Sequence, residues 1–228
     1  VQRYVYVPFH FLPGDNTVVI KGGNNPLSVT PYSRNAKFVL SGALDSYNAY
    51  RIGIALHTVA DTWSHQNFTG LQEDWNAVYP WYNVFKSLVP NIGHAEAGHS
   101  PDVISESWID YRIDKNPIDN RQRAFAALET IYDVLCNRTK SGRAWGDLKT
   151  DFKNIIDAPD YDERIKRTSD LVGGGIPKYS KDTWIDAALH KDGETCVLRQ
   201  NFKETNWYHF HQAAKSHLAE VVNLIKEI

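Results

Sequence analysis

The segment that most constrains the fold is residues 50–70, which read YRIGIALHTVADTWSHQNFTG. Its apolar side chains recur at the spacing of one helix face and form a stripe of Ile52, Leu56, Val59 and Trp63. His57, Asp61 and His65 are spaced four residues apart, so a helix places all three in one row beside that stripe. Polar groups at the edge of a buried face lose water and need a partner, either a hydrogen bond or a metal ion.

The row is open to two interpretations. Imidazole and carboxylate groups are ligands of protein-bound zinc, but a hydrogen-bonded His–Asp network in a helical core explains the same spacing. His94 and His99 lie in a later aromatic loop that we expect to fold back over the helix, where they would add two more ligands. The HExxH motif, an adjacent His–Asp pair and two-cysteine knuckles are absent from the sequence, so scattered segments would supply a metal site.

The composition narrows the class of protein. A chain of 228 residues, 42% of them hydrophobic, can bury a substantial core, and we expect a single domain. The formal net charge of −2 predicts no binding to duplex nucleic acid. The sequence has no run of about 18 apolar residues, which predicts no stable membrane insertion. The start VQRYVYVPFH lacks the order of a secretory signal, so the compartment stays open, with a cytoplasmic location favoured over a secreted one.

Helical patterns dominate the chain and predict an all-α fold, a multi-helix bundle with a short extended N-terminal segment. Within a single domain of residues 1–228, residues 1–33 form the extended segment or hairpin that contains His10, residues 34–110 the metal-site core, and residues 111–228 additional helices. Start and stop signals predict helices at about 34–48, 49–66, 119–138, 144–156, 160–171 and 200–227, and one that starts near Pro101 and ends near residue 115. The last helix is expected to direct five side chains toward the core: Phe210, Ala214, Leu218, Val221 and Ile225.

The remaining histidines and the cysteines are expected to be structural or exposed. His190 lies in the polar turn LHKDGE and should be solvated. Three histidines of the last helix splay apart at their spacing and should be structural or surface residues: His209, His211 and His217. Cys136 and Cys196 are too far apart for a metal knuckle, so two buried thiols are expected, with one disulfide as the alternative.

Two segments carry a family resemblance: HFLPGDN at residues 10–16 and YRIGIALHTVADTWSHQNFTG at residues 50–70. Their order resembles the zinc-dependent phospholipase C and single-strand nuclease superfamily, which places a histidine in an HF segment before a helix with His-x-x-x-Asp, a further histidine and an NFT-like end. The later GHAEAGHSPD is similar to that family's loop histidine with a nearby carboxylate. The match covers residues 8–110 and is strongest with a bacterial branch whose members have no assigned activity.

The resemblance implies an all-helical fold and two or three zinc ions. It makes His10 and His57 ligands of one zinc and Asp61 the carboxylate that bridges it to a second. His65 belongs to another metal position, completed by His94 or His99 and an acid such as Glu96 or Asp102. The family also uses ligands and a general-base aspartate upstream of the segment that matches His10. We therefore expect a preceding N-terminal region in the native protein, or fewer metal ions and weak activity in this chain.

The resemblance further implies a zinc-dependent phosphoric-ester hydrolase, a phosphodiesterase or phospholipase C-like enzyme. Its substrate would be a small-molecule or lipid phosphoester. The ligand set is also compatible with iron or manganese. The alternative function is a non-catalytic helical protein that keeps a structural metal or a polar His–Asp core.

Overall fold

A computed structural model describes residues 1–15, 18–79, 90–113, 117–140, 142–177 and 179–226. Most of these residues are helical, and the strands form only two small antiparallel sheets, which confirms the all-α class expected from the sequence. A π-helix at Gln2–Tyr6 precedes eight α-helices: α1 Val7–Phe9, α2 Arg34–Asp45, α3 Ala49–Ser64, α4 Asn120–Thr139, α5 Trp145–Ile156, α6 Tyr161–Leu171, α7 Lys181–Asp186 and α8 Asn206–Ile225. The strands are β1 Ser107–Trp108, paired with β2 Ile118–Asp119, and β3 Leu189–Asp192, paired with β4 Thr195–Leu198.

Side-chain caps start the helices that surround the candidate site. The Ser33 hydroxyl accepts a hydrogen bond from the Ala36 amide at the start of α2. The Asn48 side chain accepts one from the Arg51 amide at the start of α3. Such caps satisfy amides that have no partner inside the helix, which explains why α2 and α3 begin close to the predicted positions.

Helix α3 lies at the centre of the fold and packs against α2, α4 and α8. The main core forms around it from buried residues of several segments: Leu12, Ala36, Val39, Leu40, Ala43, Ala55, Val59, Trp63, Ala127 and Val221. A second cluster lies beyond the end of α3 and contains Phe11, Val29, Phe68, Val78, Ala97 and Trp108. The chain therefore passes from the main core to the second cluster just after α3, between Trp63 and Phe68.

The N-terminal segment differs from the prediction. Residues 2–9 are helical rather than extended, because Val7 and Pro8 are buried where α1 packs against α3 and α8. Pro8 lies in the first turn of α1, where a missing amide proton costs nothing. The segment is tightly held, since a Cβ added at Gly70 would lie 2.8 Å from Val7 Cγ2 and 2.9 Å from the Val7 amide nitrogen. Extended pairing begins only later, at the bridge between Pro13 and Val29.

The prediction of a helix after Pro101 is also wrong. The described residues from 101 to 113 form turns and β1, and the predicted end near residue 115 lies outside the described residues. Trp108 is buried, and its indole nitrogen donates to Asn120 Oδ1 at 3.1 Å. The Asn120 amide group donates in turn to the Ser100 and Val103 carbonyls, so side-chain contacts across β1 and β2 replace helical hydrogen bonds.

Three predictions about the second half of the chain are wrong. Helix α8 starts at Asn206 rather than near residue 200, after a 3-10 turn at Phe202–Glu204. Its buried face is Ala213, His217 and Val221, while Phe210 is exposed, so the core-facing stripe is rotated from the predicted one. The two cysteines are free, with Cys136 half-buried and Cys196 exposed, and the prediction of two buried thiols is wrong.

Candidate metal centre

Three predicted ligands meet at one end of α3 and form the first group: His10, His57 and Asp61. His10 Nδ1 lies 2.9 Å from Asp61 Oδ2 and 3.3 Å from His57 Nε2. His57 Nε2 lies 3.4 Å from the same Asp61 oxygen. A tetrahedral ion with ligand bonds of about 2.0–2.1 Å separates its ligand atoms by about 3.3–3.4 Å. The first group therefore has the spacing of one face of such a coordination sphere, slightly contracted at the His10–Asp61 edge.

Three further residues form the second group: His65, His94 and Asp102. Asp102 Oδ1 lies 3.0 Å from His65 Nε2 and 3.3 Å from His94 Nε2. His65 comes from the residue that follows α3, and the two others come from the loop that precedes β1. In each group the three possible ligand atoms lie within 4.8 Å of one another. The loop expected to fold back over α3 does so through His94 and Asp102.

Main-chain contacts orient both imidazoles of the second group. His65 Nδ1 lies 2.7 Å from the His10 carbonyl oxygen, and His94 Nδ1 lies 2.9 Å from the Gly98 carbonyl oxygen. A carbonyl only accepts, so each Nδ1 carries the proton and donates it. In a neutral ring Nε2 is then the atom with the free lone pair. Both lone pairs are directed at the Asp102 carboxylate, an arrangement that needs a cation, either protons on the rings or a shared metal ion.

The charges of the second group follow from this contact. Burial opposes the ionisation of Asp102, but the protonated forms of His65 and His94 outweigh it and hold the pKa of that carboxyl well below its usual range. Burial likewise opposes the charge on His94, yet Asp102 and the Gly98 carbonyl raise the pKa of its imidazole above the usual 6.5. A proton and a metal ion therefore compete for the same Nε2 position.

The two groups are neighbours, and the His65 ring lies between them. His65 Nδ1 lies 3.8 Å from Asp61 Oδ2 of the first group, while Nε2 of the same ring faces the second group. Two rings stack on His65: the Phe11 ring, with 4.4 Å between centroids, and the His94 ring, with 4.9 Å between centroids. These stacking contacts fix the plane of the His65 ring.

Two of the candidate ligands lie outside both groups. His99 is exposed and contributes no ligand atom to either group of described residues. Glu96 is buried, and its carboxylate accepts hydrogen bonds from the Val78 and Tyr79 amides. Of the two acids that the sequence offered for the second group, the structure thus brings Asp102 to the imidazoles and uses Glu96 to hold a loop.

The other histidines are exposed or structural as predicted, but His190 lies on a strand and not in the predicted turn. His190 is exposed on β3, and His209 and His211 are exposed on α8. His217 is completely buried. Its position on the core-facing side of α8 could have been recognised only from the correct start and rotation of that helix.

A cavity of about 310 Å³ lies beside the second group. It is lined by Tyr6, Phe11, Pro90, Ile92, Gly93, His94 and Ala95. Apart from the His94 ring and the Tyr6 hydroxyl, the side chains of this lining are apolar.

None of the helices in the described part of the chain combines the length and apolar character needed to cross a bilayer. No curated protein and no solved structure matches the chain. Residues 1–225 match the family described as "Family of unknown function (DUF6765)", and the chain belongs to that family.

Proposed function

We propose that the protein is a zinc-dependent hydrolase of phosphoric esters, related to the phospholipase C and single-strand nuclease superfamily. The observation that carries the proposal is the pair of adjacent His–Asp groups, each with ligand atoms close enough to hold one ion. Two neighbouring cations can stabilise the attacking and leaving oxygens of an in-line displacement at phosphorus. The helical class and the order of the ligands along the chain agree with the resemblance of residues 8–110 to that superfamily.

The donor set supports zinc as the resident ion. Both groups combine two imidazole nitrogens with one carboxylate, and three protein ligands leave a position open for water or substrate. The second group also has the outer contacts that orient ligating histidines, because both Nδ1 atoms donate to main-chain carbonyls. Iron and manganese use similar ligands, so the identity of the ion is part of the test.

The chain's own residues divide the work of the reaction. His10, His57 and Asp61 would hold one ion, and the exposed rings of His10 and His57 would leave it accessible to a phosphoryl group. His65, His94 and Asp102 would hold the other, between imidazoles whose orientations are fixed by main-chain carbonyls. The chemistry supplied by bound zinc is polarisation of a phosphoryl oxygen and a lowered pKa, about 7, for water.

Charge and shape support a small phosphoester as the substrate. A net charge of −2 gives no broad positive surface for a nucleic-acid duplex, so the phosphate must be recognised locally by the metal centre. The cavity beside His94 is large enough for a small apolar group next to the phosphate. A small-molecule or lipid phosphoester fits this combination.

Metal analysis and a phosphodiester assay test the proposal together. The full chain, purified with zinc and dialysed, should carry about two zinc ions and cleave bis-p-nitrophenyl phosphate, and a chelator should abolish the cleavage. His57→Ala should remove activity, while His99→Ala is the matched control, a nearby exposed histidine outside both groups. Bound zinc without hydrolysis would favour a structural metal, and no bound metal would overturn the proposal.

A further inference from the structure

His217 connects three segments at the back of the first group. Its ring is completely buried on the core-facing side of α8. Nε2 lies 2.8 Å from the Pro8 carbonyl oxygen and 3.3 Å from the Thr58 hydroxyl. The ring also packs against Phe9, with 5.0 Å between centroids.

The positions of these partners relate His217 to the metal ligands. Pro8 and Phe9 directly precede His10, and Thr58 directly follows His57. One imidazole therefore contacts both of the segments that supply histidines to the first group. In the described part of the chain, His10 has no main-chain acceptor of the kind that orients His65 and His94. The position of its ring therefore depends on the side chains of Asp61 and His57 and on the main chain that carries it.

The hydrogen bonds also determine the tautomer of His217. The Pro8 carbonyl can only accept, so Nε2 carries a proton and donates it. Burial lowers the pKa of the His217 imidazole below its usual value, which favours the neutral ring with no proton on Nδ1. Nδ1 is buried and has no hydrogen-bond partner among the described residues, and a buried polar atom without a partner costs free energy. An apolar side chain would fill the same space without that cost, but it could not donate a hydrogen bond to Pro8. The hydrogen bond to the Pro8 carbonyl is therefore what the imidazole contributes beyond its volume.

We infer that His217 is the positioning residue of the first group: it holds the main chain before His10 against the turn of α3 that carries His57. The inference rests on the proposed function only in that the first group binds a metal. It adds an outer residue from α8 that no spacing in the sequence connects with the ligands.

Hydrogen exchange in the metal-free protein tests whether the hydrogen bond between His217 and Pro8 holds this segment. His217→Leu should raise the exchange of the His10 and Phe11 amides, both of which donate to the Tyr6 carbonyl. His217→Gln should restore slow exchange because its amide nitrogen can replace Nε2, whereas the shorter side chain in His217→Asn should not. Val221→Ala is the matched control, since it removes core volume from the same buried face of α8 without touching Pro8.

Zinc affinity tests the consequence for the site. In a His94→Ala background, which isolates the first group, His217→Leu should weaken zinc binding by about 10–100-fold, the usual effect of losing an outer contact. In a His57→Ala background, the second group should change by less than about threefold. The Co²⁺ absorption spectrum of the first group should shift in His217→Leu and return in His217→Gln.

The outcomes separate the two proposals. Unchanged amide exchange in His217→Leu, or equal effects of His217→Leu and Val221→Ala on exchange and affinity, would overturn the positioning role. Failure of the wild-type chain to bind zinc would overturn the proposed function, while the exchange experiment would still decide whether His217 holds the segment. If His217→Leu does not fold, amide exchange in His217→Gln and His217→Asn tests the same inference, and equal exchange in these two variants would overturn it.

Discussion

The histidines of the first group are more exposed than those of the second, although Asp102 of the second group is itself 45% exposed. The His10 and His57 side chains are 38% and 53% exposed, whereas those of His65 and His94 are 7% and 16% exposed. Both rings of the second group are oriented by main-chain carbonyls, whereas among the described residues the rings of the first group have side-chain partners and no main-chain acceptor.

We propose on this basis that the two groups serve different purposes, although their sets of donor atoms are alike. Fixed rings and low exposure favour tight, permanent binding of an ion. Exposed rings at the surface favour access for a substrate. Because solvent does not fix their orientation, other parts of the fold must do so. We expect the second group to be the tighter site and the first group to be the reacting one.

Removal of one ligand from each group should have the largest effect and is the direct test of that division. His57→Ala and His94→Ala should each release one zinc ion and weaken that site by more than the roughly 100-fold that an outer contact costs. His57→Ala should also abolish hydrolysis. Elemental analysis and chelator competition measure the loss. If either variant releases both ions, the two groups form one inseparable unit and the distinction fails.

Displacement of the N-terminal segment should weaken the first group selectively. In Gly70→Ala the new Cβ would clash with Val7 near the start of the segment that carries His10. We expect a loss of about 1–3 kcal/mol in the free energy of unfolding and about tenfold weaker zinc binding at the first group. Urea unfolding and zinc titration measure the two effects.

Gly53→Ala is the control for that experiment. Gly53 lies in α3, and a Cβ there would meet nothing within 4 Å. The change should stabilise the protein by about 0.5–1 kcal/mol through helix propensity and leave zinc binding intact. Equal zinc affinities in the two glycine variants would show that the close contact with Val7 does not position His10.

The pH dependence of stability should reverse when zinc binds to the second group. The folded-state pKa of His94 is raised above 6.5, so its contribution is present below that pH and is lost as the pH rises through the raised value. With zinc, neutral imidazole is the ligand, so stabilisation should increase over the same pH range. Urea midpoints with chelator and with zinc measure both slopes, and His94→Gln should flatten the metal-free one. Parallel slopes would contradict competition between proton and metal.

The smallest effect is expected for His99→Ala. His99 is exposed and lies outside both groups, although the sequence made it as good a candidate as His94. Surface substitutions of this kind usually change the free energy of unfolding by less than about 0.5 kcal/mol, and zinc content should stay at the wild-type value. Loss of an ion in this variant would mean that the loop supplies a different histidine in the metal-bound protein.

The sequence predicted those parts of the centre that depend on local periodicity. The row of His57, Asp61 and His65 follows from helix geometry, and α3 has nearly the predicted bounds. The long α4 was also predicted within one residue at each end. In these segments the apolar pattern and the capping residues act over a few turns, so the information is present in short stretches of chain.

The parts that depend on tertiary contacts could not be predicted in the same way. Asp102 and Glu96 are both acids near His94, and only the fold of the loop determines which one reaches the imidazoles. The helix predicted after Pro101 fails because buried contacts of Trp108 and Asn120 outweigh helix propensity. The sequence predicts only a structural or surface role for His217, because its partners lie far away along the chain.

The contact between His217 and Pro8 joins residues separated by 209 positions, and this has a consequence for biosynthesis. All six residues of the two groups leave the ribosome long before α8 does. An ion captured by the nascent chain would at first be held loosely on the His10 side. Full affinity at that side would be acquired only after translation of α8, as a late step of maturation.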